Sequence, residues 1–417
     1  MSPTSELLLA AAAALGGAAV LRLLHARYYR DSTPTLVAVG LVERRGATRR
    51  SHYQRWDAVY CTFPFAWAWL EIGAASAAAT ASQHWLGLGL LPLVVGGRLR
   101  ALHEFSHLAV HGALARSKKW QWAVADVTFH YPFARFDSHH RHVHHVKRHH
   151  PHSNQPGNDP NIDRLVSAGF VPGLSVPAFY AKLLHPLTPA GVWLTLSGMF
   201  VELRLNRSWA GVGQRVSVML ATVAAFFALF GLRGVLFGYM LPRLLVYPTY
   251  SWIALLAEHR WFARSSAAGR AREYECGRPT DYTGFFGWLV TSFISPAADH
   301  FHLAHSLYPH VRWNHLGEVD RILKQSVPAY ASHASLGLLA KAGERPSALS
   351  ELRDRMTDTS HPDLADWALR LTVPSRIAPP AEGAAPRAEA GGSSALLLPS
   401  DATRGANTAP RPATRSS

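Results

Sequence analysis

The chain has 417 residues, with 42 Lys+Arg against 27 Asp+Glu, 24 His and a formal net charge of +15. Hydrophobic residues make up 48% and charged residues only 17%, below the ~25% of an ordinary soluble domain. Two cysteines, Cys61 and Cys276, exclude a disulfide scaffold and any cysteine-held zinc or iron–sulfur site, and the basic residues flank apolar runs without any nucleic-acid motif, so the charge points to a membrane and not to nucleic acid.

In chain order, residues 7–20 are an unbroken apolar run that reaches Leu24 across Arg22. The residues before it carry no positive charge, which favours an uncleaved anchor or interfacial helix over a signal peptide. A basic stretch follows at 27–55, and residues 1–54 together form an N-terminal segment. A second apolar block runs over 58–80, interrupted by Glu71. A third runs over 85–97 and continues helically through Arg98 and Arg100 into His103; alone it is short of the ~20 residues of a full span. Residues 165–202 mix apolar residues with Pro172, Pro177, Pro186 and Pro189 and read as broken or interfacial helices. Residues 216–232 and 234–257 are the clearest membrane signal, with Gly231 and Gly234 placed for a turn between them. The apolar piece 285–296 is too short to span.

Basic residues crowd 27–55, 98–119, 141–148 and 260–278, whereas the connections near 81–84 and 231–234 are nearly uncharged. Positive-inside counting then gives an all-α integral membrane protein with two transmembrane hairpins, 58–80 with 85–102 and 216–232 with 234–257, under which a histidine-rich helical cap faces the cytoplasm. The membrane domain covers 55–345, a short helical extension 346–374, and a tail from 375 to 417, rich in Ala, Pro, Gly and Ser, is expected to be disordered.

The histidines are clustered. His103, His107 and His111 recur every four residues, so they share a helix face just beyond the third apolar block. Eight histidines fall within residues 139–152; His142, His145 and His149 form one helical stripe, and Pro151 is expected to end the helix at His150. His302 and His305 are i, i+3 neighbours, and His259 lies at the end of the last long apolar run. A catalytic zinc takes about three protein ligands, so this supply exceeds one zinc and fits two metal ions sharing eight or nine nitrogens. Imidazole alone does not select the metal. A site beneath apolar helices can receive a hydrocarbon, and an unactivated C–H bond demands a redox metal and dioxygen.

His103-x3-His107, His145-x3-His149-His150 and His302-x2-His305 resemble the three histidine boxes of the membrane fatty acid desaturase and hydroxylase superfamily, integral membrane di-iron enzymes. The continuation His152-Ser153-Asn154 to Asp159-Pro160 and the Leu307-Tyr308-Pro309 after the third box are similar to the same family, over roughly residues 55–345. The resemblance implies two non-haem iron ions, O2 as co-substrate, and a metal-ligand set of His103, His107, His111, His145, His149, His150, His259, His302 and His305, with no catalytic residue beyond the ligands. His259 matches the extra histidine such enzymes place before the third box. One position departs from the pattern: Ser306 stands where the third box ends in a second histidine. His111, one turn beyond His107, is the favoured replacement, with His300 and His310 as alternatives.

The implied reaction is desaturation or hydroxylation of a membrane lipid or acyl-chain-like substrate, with electrons from a separate soluble donor such as a ferredoxin docking on the basic surface. Two other readings compete. A membrane zinc protease would use His103, Glu104 and His107 as an HExxH motif but leaves the other two boxes idle. A histidine-rich metal transport or storage protein would place ligands within the membrane helices, whereas here they lie at helix ends.

Overall fold

The computed structural model describes residues 2–42, 53–82, 84–204, 209–339, 344–358 and 360–361. The expected disordered tail and part of the basic stretch 27–55 lie outside the described residues. The fold is helical, with one two-residue parallel strand pair, Thr280–Asp281 beside Ser335–Leu336.

Helix α1 (Pro3–Tyr28) starts at the Ser2 N-cap with a proline in its first turn, where the missing N–H costs nothing. It packs along α2 (Phe63–Ser82), and α2 packs on α3 (Trp85–Val110). Glu71 of α2 accepts from Arg22 of α1 at 2.6 Å and from Arg98 of α3 at 2.9 Å. The charges that interrupt the apolar runs are therefore paired with one another, the arrangement that makes them tolerable in an apolar layer. Three helices among the described residues are long and apolar enough to cross a membrane: α1, α3 and the helical stretch Trp209–Glu258. Helix α2 is not one of them, because Glu71, its tryptophans and its Ser and Thr residues dilute an otherwise Ala-rich face.

The expectation for 85–102 proves too short. Helix α3 runs on to Val110 and carries the first histidines inside it. It ends where Gly112 takes φ +76, with Ala113 N–H bonded to Leu108 O and Gly112 N–H to Ala109 O, the paired closure of a glycine-terminated helix.

Between α3 and the next long helices the chain is helical over Ser138–Arg141, His142–His149 and His150–His152, the middle segment a π-helix. Pro151 thus does not stop the helix at His150. It occupies the first turn of a new helical segment, where its missing N–H is an orphan in any case. Helix α4 (Pro160–Ser167) is capped by Asp159, whose carboxylate accepts from Asn161 N–H. Helix α5 (Pro189–Arg204) is apolar and exposes Trp193 and Phe200.

Helix α6 (Trp209–Val235) is broken at Gly231, with φ 65 and ψ −166, a conformation open to glycine and closed to most residues. The chain folds back there, so that Phe226 meets Tyr239 at 5.8 Å between ring centroids. The return passes through π-helical turns at Leu236–Met240 and Pro242–Val246 into α7 (Tyr247–Glu258); Pro242 and Pro248, lacking N–H groups, favour such shifts in the ladder. It then closes on α3, where a Cβ on Gly96 would run into Val246; on the same helix a Cβ on Gly97 would run into Phe293 of the later segment Val290–Ile294. Only glycine permits that approach, and it brings the last turns of α3 and α7 level. Helices α8 (Gly269–Cys276) and α9 (His302–Leu307) complete the cap.

Candidate metal centre

Helix α3 presents His107 in its last full turn and His111 at its C-cap. The π-helical segment His142–His149 widens one turn of its ladder, and this decides which histidines face α3. His145, His149 and His150 turn inward, while His142 leaves the expected stripe and points its Nδ1 at Val110 O, 3.0 Å away. His259 follows the end of α7, and His302 and His305 lie on α9.

Two groups result. His107, His111, His145, His150 and His305 bring one ring nitrogen each within 4.8 Å of one another, and His149, His259 and His302 form a second such group. In the first, Nε2 of His107 is 2.6 Å from that of His145 and 3.2 Å from that of His305, and Nε2 of His150 is 3.1 Å from that of His145. In the second, Nε2 of His259 is 3.2 Å from that of His149 and 3.0 Å from that of His302. A metal ~2.1 Å from each imidazole nitrogen holds neighbouring nitrogens ~3.0–3.4 Å apart, so four of these spacings fit the edges of coordination polyhedra and the 2.6 Å between His107 and His145 is shorter. The groups adjoin: the His145 and His149 rings stack at 5.2 Å.

Carboxylates stand behind the rings. His107 Nδ1 faces Glu104 at 2.8 Å, His149 Nδ1 faces Asp159 at 2.8 Å, and His150 Nδ1 faces Glu273 at 3.3 Å. A carboxylate accepting from Nδ1–H fixes the tautomer and leaves Nε2 free for a metal. Arg100 secures this layer, pairing with Glu104, with Asp299 at 2.8 Å and with Glu258 at 3.4 Å. Burial holds the imidazoles of His111, His145 and His305 well below their ordinary range, helped by the neighbouring rings; neutral imidazole is the ligating form. His149 is the exception: burial opposes its charge, but Asp159 outweighs burial and raises it to about 9.

Asp159 also ties the second box to His259. Its other oxygen accepts from Asn154 N–H at 2.8 Å, and the Asn154 side chain accepts from Phe262 N–H at 2.9 Å and donates to Ala263 O at 3.0 Å.

Eight of the nine sequence-predicted ligands thus enter the two groups. His103 enters neither: it stacks on Phe129 at 5.6 Å with its Nδ1 3.0 Å from Arg100 Nη1, and its Nε2 is buried without a hydrogen-bond partner. Each four-residue step turns a helix by ~40°, so three residues at that spacing cannot all face one point. Of the alternatives at the Ser306 position, His310 directs its Nδ1 to His111 O at 2.7 Å, and His300 packs on Phe301 at 4.0 Å. Glu273 and Asp299 were missed by sequence reasoning; Asp299 adjoins the third box, whereas nothing in the pattern around Glu273 marks it. The zinc-protease reading loses its general base, because Glu104 is held between Arg100 and His107.

The family model described as fatty acid desaturase matches residues 83–336. Dihydrorhizobitoxine desaturase of Bradyrhizobium elkanii is 25% identical over 319 residues, which cover 70% of this chain and 84% of that protein.

Proposed function

The chain belongs to the fatty acid desaturase family, and from that premise we propose that it is an O2-dependent, di-iron membrane oxidoreductase acting on an unactivated C–H position of a lipid or acyl-chain-like substrate. The observation that carries this reading is the pair of adjoining histidine groups with Nε2 atoms converging and carboxylates behind them. One iron would be held by His107, His111, His145, His150 and His305, the other by His149, His259 and His302. His103 stays outside both sets: Arg100 can only donate to its Nδ1, which leaves the ring's proton on Nε2. Bound iron supplies the redox chemistry with dioxygen that a C–H bond demands.

The chain's own residues do the rest. Glu104, Asp159 and Glu273 keep protons on Nδ1, so each ring offers Nε2 inward. Arg100 prevents Glu104 and Asp299 from drifting toward the ligand positions. A cavity of about 380 Å3 reaches His107 and His145 and admits the substrate. A second, of about 550 Å3, opens beside His111, His150 and Ser306 among Arg116, Lys118 and Arg270; this basic mouth suits an acidic soluble electron donor such as a ferredoxin. The named activity of the Bradyrhizobium relative favours desaturation over hydroxylation. The basic-residue asymmetry supports two transmembrane hairpins, α2 with α3 and the two arms of Trp209–Glu258, with the site on the cytoplasmic side.

The test is turnover. Purified protein should consume O2 only with both reductant and substrate, and His149→Ala should abolish this. Product formation without O2, or an unimpaired His149→Ala enzyme, would contradict the reading.

A further inference from the structure

The cavity that reaches the histidine groups has two unlike ends. At the histidine end Arg100 is matched by Glu104, Asp299 and Glu258. The other end is lined by Arg135, Arg141, Arg164 and Arg243, with Glu202 as the carboxylate beside them. A guanidinium stays charged wherever it lies, and a buried charge is costly unless paired.

The pairing at this end is incomplete. Arg135 Nε is 3.8 Å from Glu202 Oε2, a weak contact. Arg243 donates from Nε to Phe133 O at 2.7 Å, but its buried Nη1 has no partner among the described residues. The Nε of Arg141 is likewise buried without a partner among the described residues. Arg164 lies over the Trp252 ring at 5.4 Å and keeps accessible surface while lining the cavity. Burial, reinforced by Arg135 and Arg100 and opposed by Glu104, pulls Arg141 down to about 10. Among the described residues Arg135, Arg164 and Arg243 share Glu202, and Arg141 lies between these cations and Glu104, around a volume at the small end of the ~300–1,000 Å3 usual for ligand pockets.

We propose that this arginine-lined end binds the ionised carboxylate of a short amphipathic substrate, holding its aliphatic part toward His107 and His145. This rests on the oxidoreductase reading for what happens at the histidine end, but the anion site itself is independent of it. Planar guanidinium forks match a carboxylate in shape and charge. Glu202 in the same wall already offsets part of the positive charge and leaves the remainder for a bound anion. A long acyl ester, having no charge at this point, would leave the arginines unpaired. Specificity then comes from the charged head, and the distance from head to histidines selects the carbon that reacts.

Titration calorimetry of the full-length, detergent-solubilised protein tests this, with hexanoate, methyl hexanoate, 1-hexanol and inorganic phosphate as probes and iron measured in every sample. Hexanoate should bind, and the three other probes should bind far more weakly. Arg141→Gln and Arg164→Gln should each weaken hexanoate about 10- to 100-fold, the loss expected for a charge-assisted bond, at unchanged iron content. Glu202→Gln should tighten it, an effect that misfolding cannot mimic. Equal binding of acid and ester, phosphate bound as tightly as hexanoate, or a Glu202→Gln protein that binds more weakly would overturn the proposal. A protein that binds hexanoate as described yet holds no iron would refute the oxidoreductase reading and leave the anion site standing.

Discussion

His111 Nε2 lies 3.3 Å from His150 Nε2, and the His111 ring is 4.7 Å from that of His305. An imidazole from the end of α3 thus occupies the region that Ser306, whose buried hydroxyl has no hydrogen-bond partner among the described residues, leaves without a nitrogen donor. The proposal makes His111 the replacement for the absent histidine of the third box. His111→Ala should then remove about one iron and most activity, whereas a ring that only supports a ligand would cost about 10- to 100-fold in affinity. Metal analysis of His111→Ala alone and combined with Ser306→His separates these, because the second substitution should restore iron. Full occupancy in the single variant would end the idea.

Asp159 has two separable duties: it caps α4 and it faces His149. Asparagine can cap a helix nearly as well as aspartate but cannot offer a charge to Nδ1–H. Asp159→Asn should therefore weaken iron about 10- to 100-fold with little change in thermal stability. Asp159→Ala should lower both, the lost cap costing about 1 kcal/mol. Unchanged iron affinity in Asp159→Asn would show that His149 does not depend on the carboxylate.

The boxes were legible because imidazoles at helical spacing beside apolar runs have few other uses. That reasoning found His107, His111, His145, His149, His150, His302 and His305, and the family resemblance added His259. The turn at Gly231 was legible from glycine itself. What the sequence could not show depends on tertiary fit. The π-turn leaves His142 on Val110 O and His149 among the inward rings, and no local propensity announces it. The same holds for Pro151, which reads as a helix stop until a fresh helical segment places it in a first turn. His103 shares its four-residue spacing with His107 and His111, but the drift of ~80° over two helical steps turns it toward Phe129 and Arg100. Glu273 lies among other charged residues on a short polar helix, so its partnership with His150 emerges only from the fold.

Topology has a direct check. Ser153 is fully buried and unsuited to labelling, whereas Lys147 and Arg233 are exposed, and the native Cys61 and Cys276 are buried. In intact cells an impermeant thiol reagent should modify Arg233→Cys from outside and Lys147→Cys only after permeabilisation. The reverse pattern would place the histidine groups on the outer face and remove the cytoplasmic donor from the account.

The account's central claim is that two adjoining histidine groups hold two irons, and metal content per chain tests it most directly. Protein expressed with iron supplied and quantified by mass spectrometry of the metals should carry about two irons per chain, with His107→Ala and His302→Ala each reduced to about one. One tightly held zinc per chain, or a variable load of exchangeable metal lost on dialysis, would contradict it.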